Sequence, residues 1–210
     1  HRRPSVSELL LVRHGTTADN LAARWSGWRD TPLSENGVFQ AALVAERVAI
    51  YFPAQVVYTS PLQRALQTAT CIGQRLGLTP HSHDGLKELF FGEVEGLPDQ
   101  EVRQRYPEAY AAAMDFTNLD FGWPGGETRR QFVERIGRTM TGILAADTGE
   151  RTLVVGHGGM ISVFLADFLE GDASQWPKYM VSNCSLTRLE VTDHGPRLVL
   201  LNDCTHLEGA

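Results

Sequence analysis

The sequence predicts an α/β domain built on a mostly parallel sheet. Two features point to it. Short, wholly apolar runs break abruptly into polar or glycine-containing turns, the pattern of buried parallel strands. Between them lie longer stretches with helical apolar spacing, so strand and helix alternate along the chain. Size agrees with this reading. A chain of 210 residues is expected to form one domain, or one domain with an insertion, and to need no disulfide or metal to hold it. A hydrophobic share of 42% and a charged share of 21% exclude disordered, collagen-like and disulfide-scaffold classes.

The elements follow in order. Residues 9–12 are the first apolar run, which breaks at Arg13-His14-Gly15. Residues 34–52 read as a helix with Ser34 as N-cap, Glu35 in the first turn, and Val38, Ala41, Ala42, Ala45, Val48 and Ala49 as its apolar set. Residues 55–58 are a second strand, and Pro61 is suited to open the next helix, which ends near Leu76 before Gly77. The middle, 82–126, is less regular, with a helical stretch over 98–114 and a turn at Pro124-Gly125-Gly126. Residues 127–146 form an amphipathic helix. Residues 153–155 form a third strand, which breaks at Gly156-His157-Gly158-Gly159 before a helix over 160–169. Residues 185–191 and 197–202 read as two closing strands.

Charge and cysteine usage narrow the function. With 19 basic and 25 acidic residues the net charge is −6, and there is no Lys/Arg run, so neither nucleic acid nor an anionic membrane is an expected partner. All but Lys87 and Lys178 of the basic residues are Arg, whose planar fork suits carboxylate and phosphate. Cys71, Cys184 and Cys204 have neither disulfide nor zinc spacing. No apolar run has the length of a membrane span, and no signal-type apolar region follows His1-Arg2-Arg3-Pro4. The expectation is a soluble, cytoplasmic protein.

Ligands of open parallel sheets bind beyond the carboxyl ends of strands. Three strands here end in Arg13-His14-Gly15, in Ser60-Pro61-Leu62-Gln63-Arg64 and in Gly156-His157-Gly158. One histidine at a strand end is more often structural, and one arginine at a helix start is more often a surface residue. Two of each at corresponding ends read as an oxyanion site: Arg supplies donors, His supplies a nucleophile or a cation, and Gly lets backbone N–H groups approach. No helical His pair or carboxylate set suggests a metal.

Six blocks, in order, now carry a resemblance. They are Arg13-His14-Gly15-Thr16-Thr17-Ala18-Asp19-Asn20; Ser26-Gly27-Trp28-Arg29-Asp30-Thr31-Pro32-Leu33-Ser34; Ser60-Pro61-Leu62-Gln63-Arg64-Ala65-Leu66-Gln67-Thr68-Ala69; Leu86-Lys87-Glu88-Leu89-Phe90-Phe91-Gly92-Glu93-Val94-Glu95-Gly96; Pro124-Gly125-Gly126-Glu127-Thr128; and Gly156-His157-Gly158-Gly159. Together the chain resembles the histidine phosphatase superfamily, which includes the cofactor-dependent phosphoglycerate mutases. The resemblance implies a phosphoglycerate mutase-like, three-layer α/β/α sandwich over 1–210, with 82–126 as a substrate-covering insertion.

It also implies roles. His14 would attack phosphorus and become phosphohistidine, its other nitrogen held by an acceptor such as a backbone carbonyl. Arg13, Arg64 and a cationic His157 would bind the phosphoryl oxygens, with Asn20, Ser26 and the Gly158 N–H as further donors. Glu88 would be the general acid and base, through a carboxyl with a raised pKa. Glu93 and Glu95 are its rivals, and Glu95 reads as structural. Thr16 departs from the family, which commonly has Glu or Gln there. Trp25, Trp28 and Trp123 are either pocket rim or packing. His81, His83, Arg129 and Arg130 read as solvent-facing, and His206 has no assigned role.

Mutases of the family carry Arg after the acid/base Glu, whereas Leu89 follows Glu88 here, and 88–124 holds only Arg103 and Arg105 as basic residues. The expectation is therefore a phosphatase for a small phosphorylated metabolite, needing no cofactor or metal. The alternatives are a cofactor-dependent phosphoglycerate mutase and a non-catalytic phospho-ligand binding module. Oligomeric state cannot be read from the sequence.

Overall fold

The computed structural model describes residues 7–146 and 151–208; the basic start His1-Arg2-Arg3-Pro4 lies outside them. Six strands form one sheet: β1 (Ser7–Arg13), β2 (Val56–Thr59), β3 (His81–Ser82), β4 (Arg151–Gly156), β5 (Leu186–Thr192) and β6 (Gly195–Asp203). Their order is β3-β2-β4-β1-β5-β6. The first four strands run parallel, and β5 and β6 are antiparallel additions at one edge. The helices are α1 (Ala18–Leu21), α2 (Glu35–Tyr51), α3 (Gln63–Leu76), α4 (Asp99–Arg105), α5 (Pro107–Ala113), α6 (Arg129–Ala145) and α7 (Gly158–Glu170).

Strand alternation makes the layers. Leu9 and Leu11 of β1 pack on one face with Ile136 and Met140 of α6 and with Met160 and Leu165 of α7. Leu10 and Val12 pack on the other face with Val44 and Val48 of α2 and with Ala65 and Ile72 of α3. A strand buried on both faces has to be apolar throughout, and β1 is so from Leu9 to Val12. The result is the expected three-layer sandwich. A smaller core of Val94, Val102, Ala113 and Trp123, joined by Trp25 and Phe91, sits under the middle segment.

Several element expectations need correction. Residues 98–114 do not form one helix: α4 ends at Arg105 and α5 begins at Pro107. Proline has no N–H to continue the ladder, and it disfavours helical backbone at the residue before it, Tyr106. The third helix begins at Gln63 and not at Pro61, because Leu62 is still extended and Ser60 Oγ accepts its N–H. The sixth helix starts at Arg129, since the Thr128 side chain caps it in a reciprocal pair with Gln131. Val38 and Ala42 of α2 face solvent, and Val44 takes their place inside.

This topology sets the site. In the β2-β4-β1 order, the carboxyl ends of three strands lie side by side. The long helix between β1 and β2, α2, packs on one face, and the helix after β4, α7, packs on the other. The chain diverges between these two strands and leaves a crevice at the switch point.

Candidate active site

His14 lies one residue beyond β1, and its N–H still donates to the Gly156 carbonyl of β4. The ring is 97% removed from solvent. Its Nδ1 is 2.7 Å from the Gly15 carbonyl oxygen. A carbonyl only accepts, so Nδ1 carries the proton and Nε2 keeps its lone pair. Arg64 Nε donates to that Nε2 at 3.3 Å. Burial, and then the charges of Arg64 and Arg13, hold His14 well below the ordinary imidazole range. The ring is therefore a neutral base with its unprotonated nitrogen turned toward Arg64. The loop that carries it crosses the start of α2 tightly: a Cβ on Gly15 would come within 2.6 Å of the Gly37 carbonyl oxygen.

His157 follows β4 directly and lies against His14, ring centroids 5.2 Å apart and edge to face. Its Nε2 shares a 2.8 Å hydrogen bond with Ser60 Oγ, at the end of β2. Burial, and then the charges of Arg64 and Arg13, also keep this ring well below the ordinary range. Without an anion between the arginines, His157 is thus neutral; the cation expected from the sequence requires one.

Arg64 projects from the first turn of α3 and is only 1% exposed. Its Nη1 and Nη2 donate to the carbonyls of Arg29 and Gly27 at 2.8 and 2.7 Å. The fork is used to fix the guanidinium, and the Nε edge faces His14. Arg13 donates through Nη1 to the Val181 carbonyl at 2.6 Å. Burial lowers both guanidinium pKa values, with Glu88 the first charge opposing it.

Glu88 reaches the start of α7. Its Oε2 accepts the Gly159 N–H at 2.9 Å, and its Oε1 accepts its neighbour Leu89's N–H at 3.0 Å. The backbone behind it is clamped, since its carbonyl accepts from Trp28 Nε1 at 2.7 Å and from Arg135 Nη2 at 3.2 Å. Glu93 is exposed and bonded to Tyr106 Oη, and Glu95 accepts the Trp28 and Phe91 N–H groups. Neither rival lines the cleft.

The cleft, of about 370 Å³, is lined by Arg13, His14, Asn20, Ser26, Arg64, Glu88 and Gly158, among others. The structure therefore brings these predicted residues to one cleft, whereas His157, fully buried, packs against His14 and is not itself part of the lining. Among the described residues, Arg13 Nε, Ser26 Oγ and His157 Nδ1 are buried polar atoms without a protein partner. Such an atom costs about 1–3 kcal/mol unless something else satisfies it. An oxyanion held there would accept from such donors. The first N–H groups of α7 add a partial positive charge.

Other residues resolve differently. Thr16 donates through both its N–H and Oγ1 to Gln40 on α2 and does not line the cleft. Trp25 lines the rim, Trp28 braces Glu88, and Trp123 is core. Arg129 is a correction. It is not a solvated surface residue, for its guanidinium ties together the Ala113, Asp115 and Asn118 carbonyls after α5. His206 donates through Nε2 to the Cys184 carbonyl at 2.9 Å and does not line the cleft. The sequence reading missed Asn183, which donates to the His14 carbonyl at 2.9 Å, and Thr68, which accepts the Gly15 N–H at 3.1 Å. Ser60 and Arg135 were also missed as partners. Ser60 carried a signal in its place at the end of an apolar strand, and Thr68 in its place within the third family block.

Comparison with known proteins identifies the family and the fold. The chain is 31% identical over 204 residues to the uncharacterized phosphatase PhoE of Bacillus subtilis (strain 168), covering 97% of this chain and 98% of that one. It is 36% identical over 157 residues to phosphoglycerate mutase-like protein 4 of Arabidopsis thaliana, covering 74% and 68%. The alpha-ribazole phosphatase of Shigella flexneri superposes with a TM-score of 0.86 at 26% identity, covering 93% and 96%. The family model for the histidine phosphatase superfamily (branch 1) matches residues 9–204, and the chain belongs to that superfamily.

Proposed function

We propose that the protein hydrolyses small phosphomonoesters through a phosphohistidine on His14. The observation that carries this reading is the His14 tautomer: Nδ1–H is tied to the Gly15 carbonyl, so Nε2 is an unprotonated nucleophile at the Arg64 guanidinium. In the first step Nε2 attacks phosphorus in line and the P–O ester bond breaks. The leaving oxygen takes a proton from Glu88. In the second step Glu88 removes a proton from water, the water oxygen attacks phosphorus, and the N–P bond breaks to release phosphate. Arg13, Arg64 and His157, with Asn20, Ser26 and the Gly158 N–H, stabilise charge on the non-bridging oxygens in both steps. The dianion between the arginines draws a proton onto His157.

A pure binder of phosphate has no need of both a free imidazole nitrogen and a carboxyl group beside it, so the enzymatic reading is preferred. The middle segment, 82–126, is proposed as the cover over the substrate. Three free cysteines support a reducing, cytoplasmic setting. The partner proposed is one small phosphorylated metabolite, with no role for nucleic acid or membrane. The test is a panel of phosphomonoesters assayed for released phosphate, with 3-phosphoglycerate isomerisation followed in parallel. Phosphate release that persists in EDTA is expected. Rapid isomerisation with negligible phosphate release would reject the reading in favour of a mutase.

A further inference from the structure

A second cavity, of about 330 Å³, opens beside Glu88. It shares Trp25, Glu88, Phe91, Gly159 and Trp176 with the phosphate cleft. Apart from Arg129 its remaining wall is apolar, with Leu89, Met114, Phe116, Phe132, Val133 and Val163 among its residues. Resting on the phosphatase reading, we propose that this cavity holds the alcohol half of the substrate, an uncharged apolar group of aryl or branched-alkyl type with roughly ten carbons. Taking ~30 Å³ per water-sized unit gives that number.

The direction of the substrate follows from Glu88. The carboxyl that protonates the leaving oxygen must touch it, so the carbon attached to that oxygen also lies next to Glu88. Glu88 lines both the phosphate cleft and this cavity, which offers the adjoining apolar space. Its chemistry then decides what fits. Among the described residues Arg129 is the one basic side chain in the lining, and three carbonyls already take its N–H groups. Its guanidinium also stacks over the Phe116 and Phe121 rings at 5.7 and 4.9 Å. A second phosphate or a carboxylate would meet no free cation there and would face Glu88. A polyhydroxylated alcohol would lose water without gaining donors or acceptors. An apolar group meets aromatic and aliphatic walls, gaining about fourfold in kcat/KM for each well-buried methylene.

The test compares 4-phenylbutyl phosphate with glycerol 3-phosphate, both primary alkyl esters, on the full chain. At least ~50-fold higher kcat/KM for 4-phenylbutyl phosphate is expected. Val133→Asp, which sets a carboxylate in the cavity wall, should reduce that ratio at least ~10-fold. Met114→Glu at the exposed mouth gives the same readout if the first variant does not fold. Equal kcat/KM for both esters, or a ratio unmoved in both variants, overturns the inference and leaves the phosphatase reading standing. If no ester releases phosphate, the phosphatase reading fails. The cavity is then judged by calorimetry with 4-phenylbutylphosphonate and methylphosphonate. Equal affinity for the two overturns the inference, and ~50-fold tighter binding of the first upholds it.

Discussion

At the scale of single residues, the site depends on where a few atoms are prevented from going. A Cβ on Gly159 would lie 2.6 Å from Glu88 Oε1. Gly159→Ala should therefore push the carboxyl off the start of α7 and lower kcat by ~10- to 100-fold, with phosphate affinity little changed. Steady-state kinetics and a phosphate titration check both halves. A kcat within twofold of the unmodified protein would remove Glu88 from the chemistry. Most of these residues were legible in the sequence because each follows a strand and sits in a distinctive motif. Asn183 was not legible, because its contact with the His14 carbonyl spans 169 positions and arises only when β5 pairs antiparallel with β1. The orientation of Arg64 was not legible either: residue type predicts a fork for phosphate, but the fold turns that fork onto two carbonyls.

At the scale of elements, the turn that carries Glu88 has no regular structure of its own and borrows rigidity from α6. Arg135 on that helix donates to the Gly85, Lys87 and Glu88 carbonyls and pairs with Glu127 through Nε and Nη2. Arg135→Lys keeps the charge but loses most of these bonds. It should lower kcat ~10-fold or more with KM nearly constant, and steady-state kinetics read the split. A rise in KM alone would show that the clamp shapes binding and leaves the acid untouched. Helix existence was legible from periodicity, while helix limits were set by capping details at Thr128 and by the Tyr106-Pro107 step. The apolar face of α2 was misread at Val38, which is 57% exposed, because Phe39, Ile50 and Tyr51 also put apolar side chains on the exposed side and leave no sharp stripe. The two-residue strand β3 is too short for any pattern to announce it.

At the scale of the whole molecule, two faces of one sheet carry separate apolar layers and leave the charged groups at its carboxyl edge. The net charge of −6 matters less than its placement, for the cleft concentrates Arg13 and Arg64 in an acidic protein. Two buried neutral histidines make stability depend on pH. Both have folded pKa values below the unfolded value of about 6.5, so above that pH neither state binds the proton and stability is unaffected. As pH falls below it, the unfolded chain takes up protons that the folded chain refuses, and stability drops. Denaturant titrations should show this loss, and His157→Gln should reduce its slope by about one proton. Phosphate reverses the effect at His157, so its binding near pH 7 should take up a proton. Calorimetry in buffers of different ionisation enthalpy measures that uptake, and a buffer-independent enthalpy would contradict the cationic role of His157.

The central claim is that phosphorus passes through His14. Rapid acid-free quenching of the enzyme during turnover, followed by peptide mass spectrometry, tests it most directly. The account predicts a phosphoryl group, labile to acid and stable to base, on the peptide containing His14, absent in His14→Ala, which is folded and inactive. Unchanged turnover in His14→Ala, or turnover with no phosphorylated His14 peptide at any time point, would contradict it.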